Sequence, residues 1–460
     1  MTRHIVDSAR RIAPLAWPVL VGQLSVVAFA TVDTVLVARH ASLDLAALAV
    51  GAAAYVTIFI GLMGVVLAVS PIAGQLFGAG RLAEAGHQLH QAVWIALALS
   101  VVGCTLLVFP EPFLALGKVS AELEPRVRGY LLALAFALPA ALIFSAFRGF
   151  NTAVSRPKAV MALQLGGLLL KIPLSIALVS GVPALGVPAL GVVGCGIATA
   201  IAMWLQLMAA VLLLRRDPFY LRFALHSRGL HAPDLKALRT QLRLGVPMGL
   251  SIAIEVSGFS MMAVFIARLG ASTVAGHQIA TNVISLLFML PLAIANAAST
   301  LVAQRVGARD LPDARRIGWH GVLIGVAIAL VMAGLLFMLR ERIVGWYTQD
   351  PLVIAAALPL LAWAALFHTA DAAQAIAAFV LRAWRIATVP VLILAASLWG
   401  VGLGGGTVLA FDLLGVTPPA LRGAPGYWAA STAGITLAAL ALCAFLAWVL
   451  RRQRVGPQGG

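Results

Sequence analysis

The chain has 460 residues, of which 62% are hydrophobic and only 10% charged, with a mean hydropathy of +1.01. Soluble domains carry about 25% charged residues, so polar surface is lacking for even one of the roughly three soluble domains such a length suggests, and disordered, collagen-like and disulfide-scaffold chains fall with them. The net charge of +16 is spread singly or in pairs between apolar runs, not on the single stripe that a nucleic-acid binder needs, which leaves a polytopic membrane protein.

A membrane helix needs about 20 mostly apolar residues. Twelve runs qualify, at 14–38, 47–71, 91–110, 127–149, 159–180, 192–214, 244–268, 276–300, 319–339, 353–381, 386–411 and 427–450. Runs of this length predict helices, because barrel strands would show as alternating segments of about ten residues. The first run exceeds the roughly 7–15 residues of a signal-peptide core, so it is read as a span. The run 353–381 carries Pro359 and is expected to tilt or kink. Cys104, Cys195 and Cys443 fall inside apolar runs without metal-ligand spacing and read as small buried hydrophobes. With a cytoplasmic N-terminus, the connections on that side hold 22 Lys and Arg, including Arg228 and Arg454. The opposite side holds 8, including Lys118. That asymmetry places both termini in the cytoplasm.

The longest connection, 215–243, divides the runs six and six. Sliding the second half onto the first by 229 positions aligns Pro18 with Pro247, Arg39 with Arg268, Gln75 with Gln304, Gly78 with Gly307 and Arg156 with Arg385. An even number of spans per repeat leaves both halves the same way up. The predicted fold is therefore all-α, with twelve transmembrane helices in two like-oriented six-helix lobes around a central cleft. Residues 1–214 form the first lobe, 215–243 a basic cytoplasmic linker and 244–460 the second lobe. Such a duplication is the architecture of an alternating-access transporter.

Thirteen of the sixteen acids lie in connections or near span ends, and the exceptions are Asp33, Glu255 and Asp371. Glu255 lies about ten residues into its run, hence roughly 15 Å deep. An acid there costs on the order of 2.5–3.5 kcal/mol, so it persists where it faces a bundle interior and acts. Asp33, nearer the interface and with Lys171 available on the fifth span, fits a structural ion pair as well as a functional role. At the 229 offset Glu255 faces Val26, Asp371 faces Leu142 and Asp33 faces Met262. The repeat scaffold itself does not require these acids.

Two carboxylates in a low-dielectric cleft can share a proton, or hold Na⁺ as other hard cations are held. Glu255 and Asp371 are accordingly the candidate Na⁺ ligands, with Gln278, Asn282, Ser257 and Gln374 as nearby oxygen donors. Either ion would neutralise a costly charge and shift the balance between two conformations, and a cationic substrate competing for the same carboxylates gives antiport. Phe259, Phe288, Phe367 and Trp384 suit an aromatic wall for such a cation, or equally core and lipid contact. His277 and His368 fit hydrogen-bonded core histidines more readily than proton carriers. The glycines between Gly402 and Gly406 sit inside an apolar run without the P-loop lysine, so ATP chemistry is unsupported. No cofactor is expected.

Four stretches carry a family resemblance: Leu15–Gly51 (LAWPVLVGQLSVVAFATVDTVLVARHASLDLAALAVG), Gly191–Trp204 (GVVGCGIATAIAMW), Leu244–Gly270 (LGVPMGLSIAIEVSGFSMMAVFIARLG) and Gly276–Leu292 (GHQIATNVISLLFMLPL). Together they resemble the multidrug and toxic compound extrusion family, in its bacterial NorM-type branch. The resemblance implies a monomeric, multi-pass protein of the bacterial cytoplasmic membrane that is not an enzyme. It would export cationic amphipathic drugs in exchange for inward Na⁺ or H⁺, with no nucleic-acid partner. Position by position, it makes Glu255 and Asp371 the second-lobe cation site and Asp33 the first-helix acid. It also makes Gln278, Asn282 and Gln374 polar positions of the cleft.

Two departures stand out. Phe367 replaces a tyrosine common in this branch, and Lys171, in the segment Lys171–Ser175 (KIPLS), stands where asparagines are usual. The lysine predicts a Lys171–Asp33 pair that forms in one state and separates in another. The same fold also serves flippases of lipid-linked saccharides. That alternative wants a strongly basic central cavity for pyrophosphate, and this sequence places acids there instead.

Overall fold

The computed structural model describes residues 2–116, 120–183, 186, 188–225 and 229–452. Lys118, Arg228 and Arg454, counted above among the connection charges, lie outside them. Among the described residues twelve helices are long and apolar enough to cross a membrane, one for each predicted run and in the same order. They are α1 (Arg3–His40), α2 (Ser42–Gly78), α3 (Leu82–Val108), α4 (Glu124–Ala153), α5 (Pro157–Ser180) and α6 (Gly191–Arg216). The second set is α7 (Leu235–Leu269), α8 (Ala271–Gly307), α9 (Leu311–Tyr347), α10 (Pro351–Ala383), α11 (Thr388–Ala410) and α12 (Ala424–Arg452).

Several helices outrun their apolar stretches. The 37 residues of α9 make roughly 55 Å of helix, against a hydrocarbon core about 30 Å thick. Its first turns carry Asp313, Arg315 and Arg316, and its last turns Arg340, Glu341 and Arg342. These ends remain helical while lying where lipid is no longer the solvent.

Two spans depart from regular geometry, each for a legible reason. Pro71 has no N–H for the carbonyl of Leu67. That carbonyl accepts from Ser70 N at 3.0 Å instead, and α2 breaks between Val66 and Val69. In α11 the stretch Ala395–Gly404 winds as a π-helix, a form that recurs at functional sites. Gly402, and Gly406 just beyond it, face α12 without a Cβ, which would meet Ser431 and Tyr427 there. α10, in contrast, continues helical through Pro359.

Contacts gather the chain into two compact units, Pro18–Gly249 and Met1–Trp17 with Leu250–Gly460. In the first, Leu131, Leu134, Leu138 and Leu142 run down the buried side of α4 and meet Ile58 of α2 and Leu89 of α3. After α6 the chain makes a 3₁₀ turn, Pro218–Phe223, which docks on α3. Gly86 meets the backbone carbonyl of Phe223 there, and any Cβ would collide with it. In the second unit, Leu360, Leu361 and Phe367 of α10 pack with Tyr427 and Trp428 of α12. The first turns of α1 are fastened to α9 within this unit. Arg11 Nη2 lies 2.9 Å from the Asp313 carboxylate, Arg305 Nε 3.0 Å from it, and Ser8 Oγ 2.7 Å from His320 Nδ1.

Asp217 caps the 3₁₀ turn by accepting from Phe219 N at 2.8 Å and also pairs with Arg156. The Phe219 N–H, and then the Arg156 guanidinium, hold its carboxyl below the ordinary aspartate range. A depressed carboxyl stabilises the fold above its unfolded pKa, and the contribution is lost as pH falls through the folded value. Asp217→Ala should therefore cost about 1 kcal/mol at neutral pH, as lost caps do. Thermal unfolding of the purified protein should show the gap to wild type closing as the pH drops below about 4.

Candidate functional site

α7 brings Glu255 to the middle of the span, and α10 brings Gln374 and Asp371. Gln374 is almost fully buried and its Nε2 donates to Glu255 Oε1 at 2.8 Å. Asp371 lies one helical turn before Gln374, close enough for its charge to interact with that of Glu255. Arg382, two turns further along α10, is buried, stacks on Phe379 at 4.6 Å and adds an opposite charge in the same field. Among the described residues, no ion pair within 4.0 Å joins Arg382 to Glu255. The carboxylate is thus attracted but not locked.

Glu255 opens on a small cavity lined by Gly258, Phe259, Met262, Phe367, Leu398, Leu403 and Ser431. Its volume of about 20 Å³ holds one water or one bare ion, and no drug-sized molecule. Leu398 and Leu403 come from the π-helical part of α11, whose Trp399 Nε1 donates to the carbonyl of Ile254 at 3.3 Å. The other wall is aromatic. Phe259 and Phe367 meet edge to face with centroids 5.5 Å apart, and Trp428 of α12 stands 6.4 Å and 6.1 Å from them.

Gln374 Oε1 is buried without a hydrogen-bond partner. An orphaned amide oxygen beside the Glu255 carboxylate, in the field of Asp371, is a hard-donor set that fits a small cation as well as a proton-bearing carboxyl. Of the predicted residues, Glu255, Asp371, Gln374, Phe259 and Phe367 converge in this way. Gln278 and Asn282 are exposed on α8, where the Tyr347 hydroxyl donates to Asn282 Oδ1 at 2.6 Å. Phe288 is half-buried on α8 and takes no part in the aromatic trio. His277 Nδ1 accepts from Trp428 Nε1 at 3.2 Å, whereas His368 is buried with neither ring nitrogen partnered. Asp33 and Lys171 belong to the first unit, where Lys171 Nζ stands 2.5 Å from Asp33 Oδ2.

Sequence reasoning missed Met262, Trp428 and Ser431. Met262 and Ser431 sit in apolar runs where one lining position looks like any other. Trp428 carried a signal, since a buried indole N–H demands an acceptor, and His277 supplies it.

The profile of the MatE family matches residues 18–177 and 247–407. The chain belongs to the MatE family. The two matched segments begin 229 residues apart, at 18 and 247, the same offset as the internal repeat. Among relatives of this MatE protein is a probable multidrug resistance protein NorM of Aromatoleum aromaticum. The two are 40% identical over 98% of this chain and 95% of the relative. The multidrug resistance protein MdtK of Pectobacterium atrosepticum is 34% identical over 98% of this chain and 97% of its own length. Solved structures share the fold at lower identity. The eukaryotic MATE transporter AtDTX14 superposes with a TM-score of 0.86 at 17% identity, covering 98% of this chain and 99% of that one. The Vibrio cholerae MATE transporter VcmN in its bent form gives 0.85 at 17%, with the same coverage.

Proposed function

We propose that this MatE protein is a secondary active multidrug exporter of the bacterial inner membrane. It moves organic cations and amphipathic drugs outward in exchange for inward Na⁺ or H⁺, by alternating access. Glu255 and Asp371 are the coupling groups, and both termini lie in the cytoplasm, as the charge asymmetry of the connections favours. The observation that carries the reading is the Glu255 carboxylate at mid-span. It is bonded to Gln374, in the field of Asp371, and opens on a cavity sized for one ion against an aromatic wall.

The names of the full-length relatives point the same way, from multidrug resistance protein NorM to MdtK. An ion taken up at these carboxylates neutralises buried charge, which alters the relative energy of two conformations. A cation of drug size competes for the same negative field. Each elementary charge moving inward through 100 mV supplies about 2.3 kcal/mol for the exchange.

The test is ethidium accumulation in an efflux-deficient bacterial host. Cells expressing the protein should retain less dye than cells with empty vector, and collapsing the ion gradient should abolish the difference. Varying Na⁺ at fixed pH, then pH at fixed Na⁺, identifies the coupling ion. Equal dye retention in expressing and vector cells would remove the exporter reading.

A further inference from the structure

The first unit holds its own intramembrane acid, in a very different setting from Glu255. Asp33 of α1 and Lys171 of α5 form an ion pair with Nζ–Oδ2 at 2.5 Å, the two side chains being 9% and 1% exposed. Phe29, one turn before Asp33, turns its ring toward the same ammonium at 4.6 Å from Nζ. A carboxylate and an aromatic face are what would receive a free monovalent cation at this place. Here that position is filled by a cation covalently attached to the chain.

The internal repeat sharpens the contrast. At the 229 offset, Asp33 corresponds to Met262 and Lys171 to Gly400. Met262 lines the cavity beside Glu255 and Gly400 falls in the π-helical turn of α11. The second unit therefore has a carboxylate on an ion-sized cavity and nothing charged at the lysine's equivalent. In the first unit the carboxylate instead has Lys171 Nζ as its partner.

We propose that Lys171 is a tethered counter-ion that withdraws Asp33 from ion exchange, so that coupling runs through Glu255 and Asp371 alone. This narrows the exporter reading and rests on it. It also revises the expectation that the pair opens during the cycle, because separating the two would strand two charges among apolar side chains. No other group nearby can take over. Cys195 of α6 and Tyr130 of α4 are the titratable side chains facing Asp33, with the Ser175 hydroxyl beside it. Neither the thiol nor the phenol supplies a positive charge at any pH.

Two readouts on the full chain test this separately from the exporter reading. The first is infrared difference spectroscopy of purified protein, wild type minus the charge-neutral Asp33→Asn/Lys171→Met variant. Gel filtration confirms that the variant is folded. The difference should show an ionised carboxylate, and no protonated carboxyl, from about pH 5 to about pH 9, unaffected by Na⁺. A carboxyl band that grows on acidification, or a carboxylate band that shifts with Na⁺, overturns the proposal whether or not dye moves.

The second readout is ethidium transport by membrane vesicles. The double variant should keep wild-type transport to within about twofold, with unchanged Na⁺ and pH profiles. Lys171→Met alone should steepen the ion dependence, since Asp33 must then recruit a mobile cation. Loss of ion dependence in the folded double variant overturns the proposal. A wild type that moves no ethidium while the infrared result holds would sink the exporter reading and leave the tethered counter-ion in place.

Discussion

Replacing Glu255 by glutamine is expected to abolish gradient-driven dye export while leaving the protein folded. Glutamine is nearly isosteric, and its amide oxygen can still accept from Gln374 Nε2, which now reaches Glu255 Oε1 at 2.8 Å. The cavity beside Phe259 and Phe367 would keep its shape. What disappears is the negative charge, and with it the difference between ion-bound and ion-free states. Since a ligand can shift an equilibrium only by its differential affinity for the two states, the imposed gradient would lose its grip on the conformational change. Loss of about a hundredfold or more in gradient-driven rate corresponds to roughly 3 kcal/mol of coupling, the upper end of ordinary coupling energies. Dye movement in everted vesicles, with and without an imposed gradient, measures it. Asp371→Asn should act in the same direction, because its charge shares the field of Glu255.

The second large effect concerns stability. Lys171→Met should destabilise the protein by about 3–5 kcal/mol, the usual cost of removing one member of a buried ion pair. Asp33 would then keep a carboxylate whose Oδ1 already lacks a hydrogen-bond partner and whose Oδ2 has lost its only ion-pair partner among the described residues. Removing both charges in Asp33→Asn/Lys171→Met should restore most of the loss, as well-packed replacements for buried pairs commonly do. Thermal unfolding of the four proteins of the double-mutant cycle, including Asp33→Asn, measures the interaction energy. Equal loss in the single and the double variant would mean that Lys171 contributes by packing alone.

The twelve spans and their order were legible in the sequence because the bilayer sets a minimum apolar length that each run meets. The repeat was legible because equivalent polar residues recur at one offset, Gln75 with Gln304 and Arg156 with Arg385. Apolar run length could not reveal the helical ends of α9, since Asp313 and Arg342 end the hydrophobic signal without ending the helix. Nor could it reveal the π-helix, since the glycines between Gly402 and Gly406 lie inside an apolar run whose length is the same for either winding.

At the site, Glu255, Asp371 and Gln374 could be picked out because charge and amide groups are rare in a span. Gln278 and Asn282 carry the same polar signal, yet both are exposed on α8. Only the rotation of that helix about its axis decides this, and spacing along one helix does not determine it. The aromatic wall shows the same limit. Phe259, Phe367 and Phe288 look alike in sequence, and the first two meet Trp428 because α7, α10 and α12 bring those positions together.

Ion–drug exchange at the second-unit carboxylates is tested most directly in proteoliposomes loaded with ethidium, with Na⁺ or H⁺ influx and dye efflux recorded together. Wild-type protein should take up the ion in fixed proportion to dye released, and Glu255→Gln should break that proportion. Dye efflux indifferent to both the imposed gradient and the Glu255 charge would contradict the mechanism.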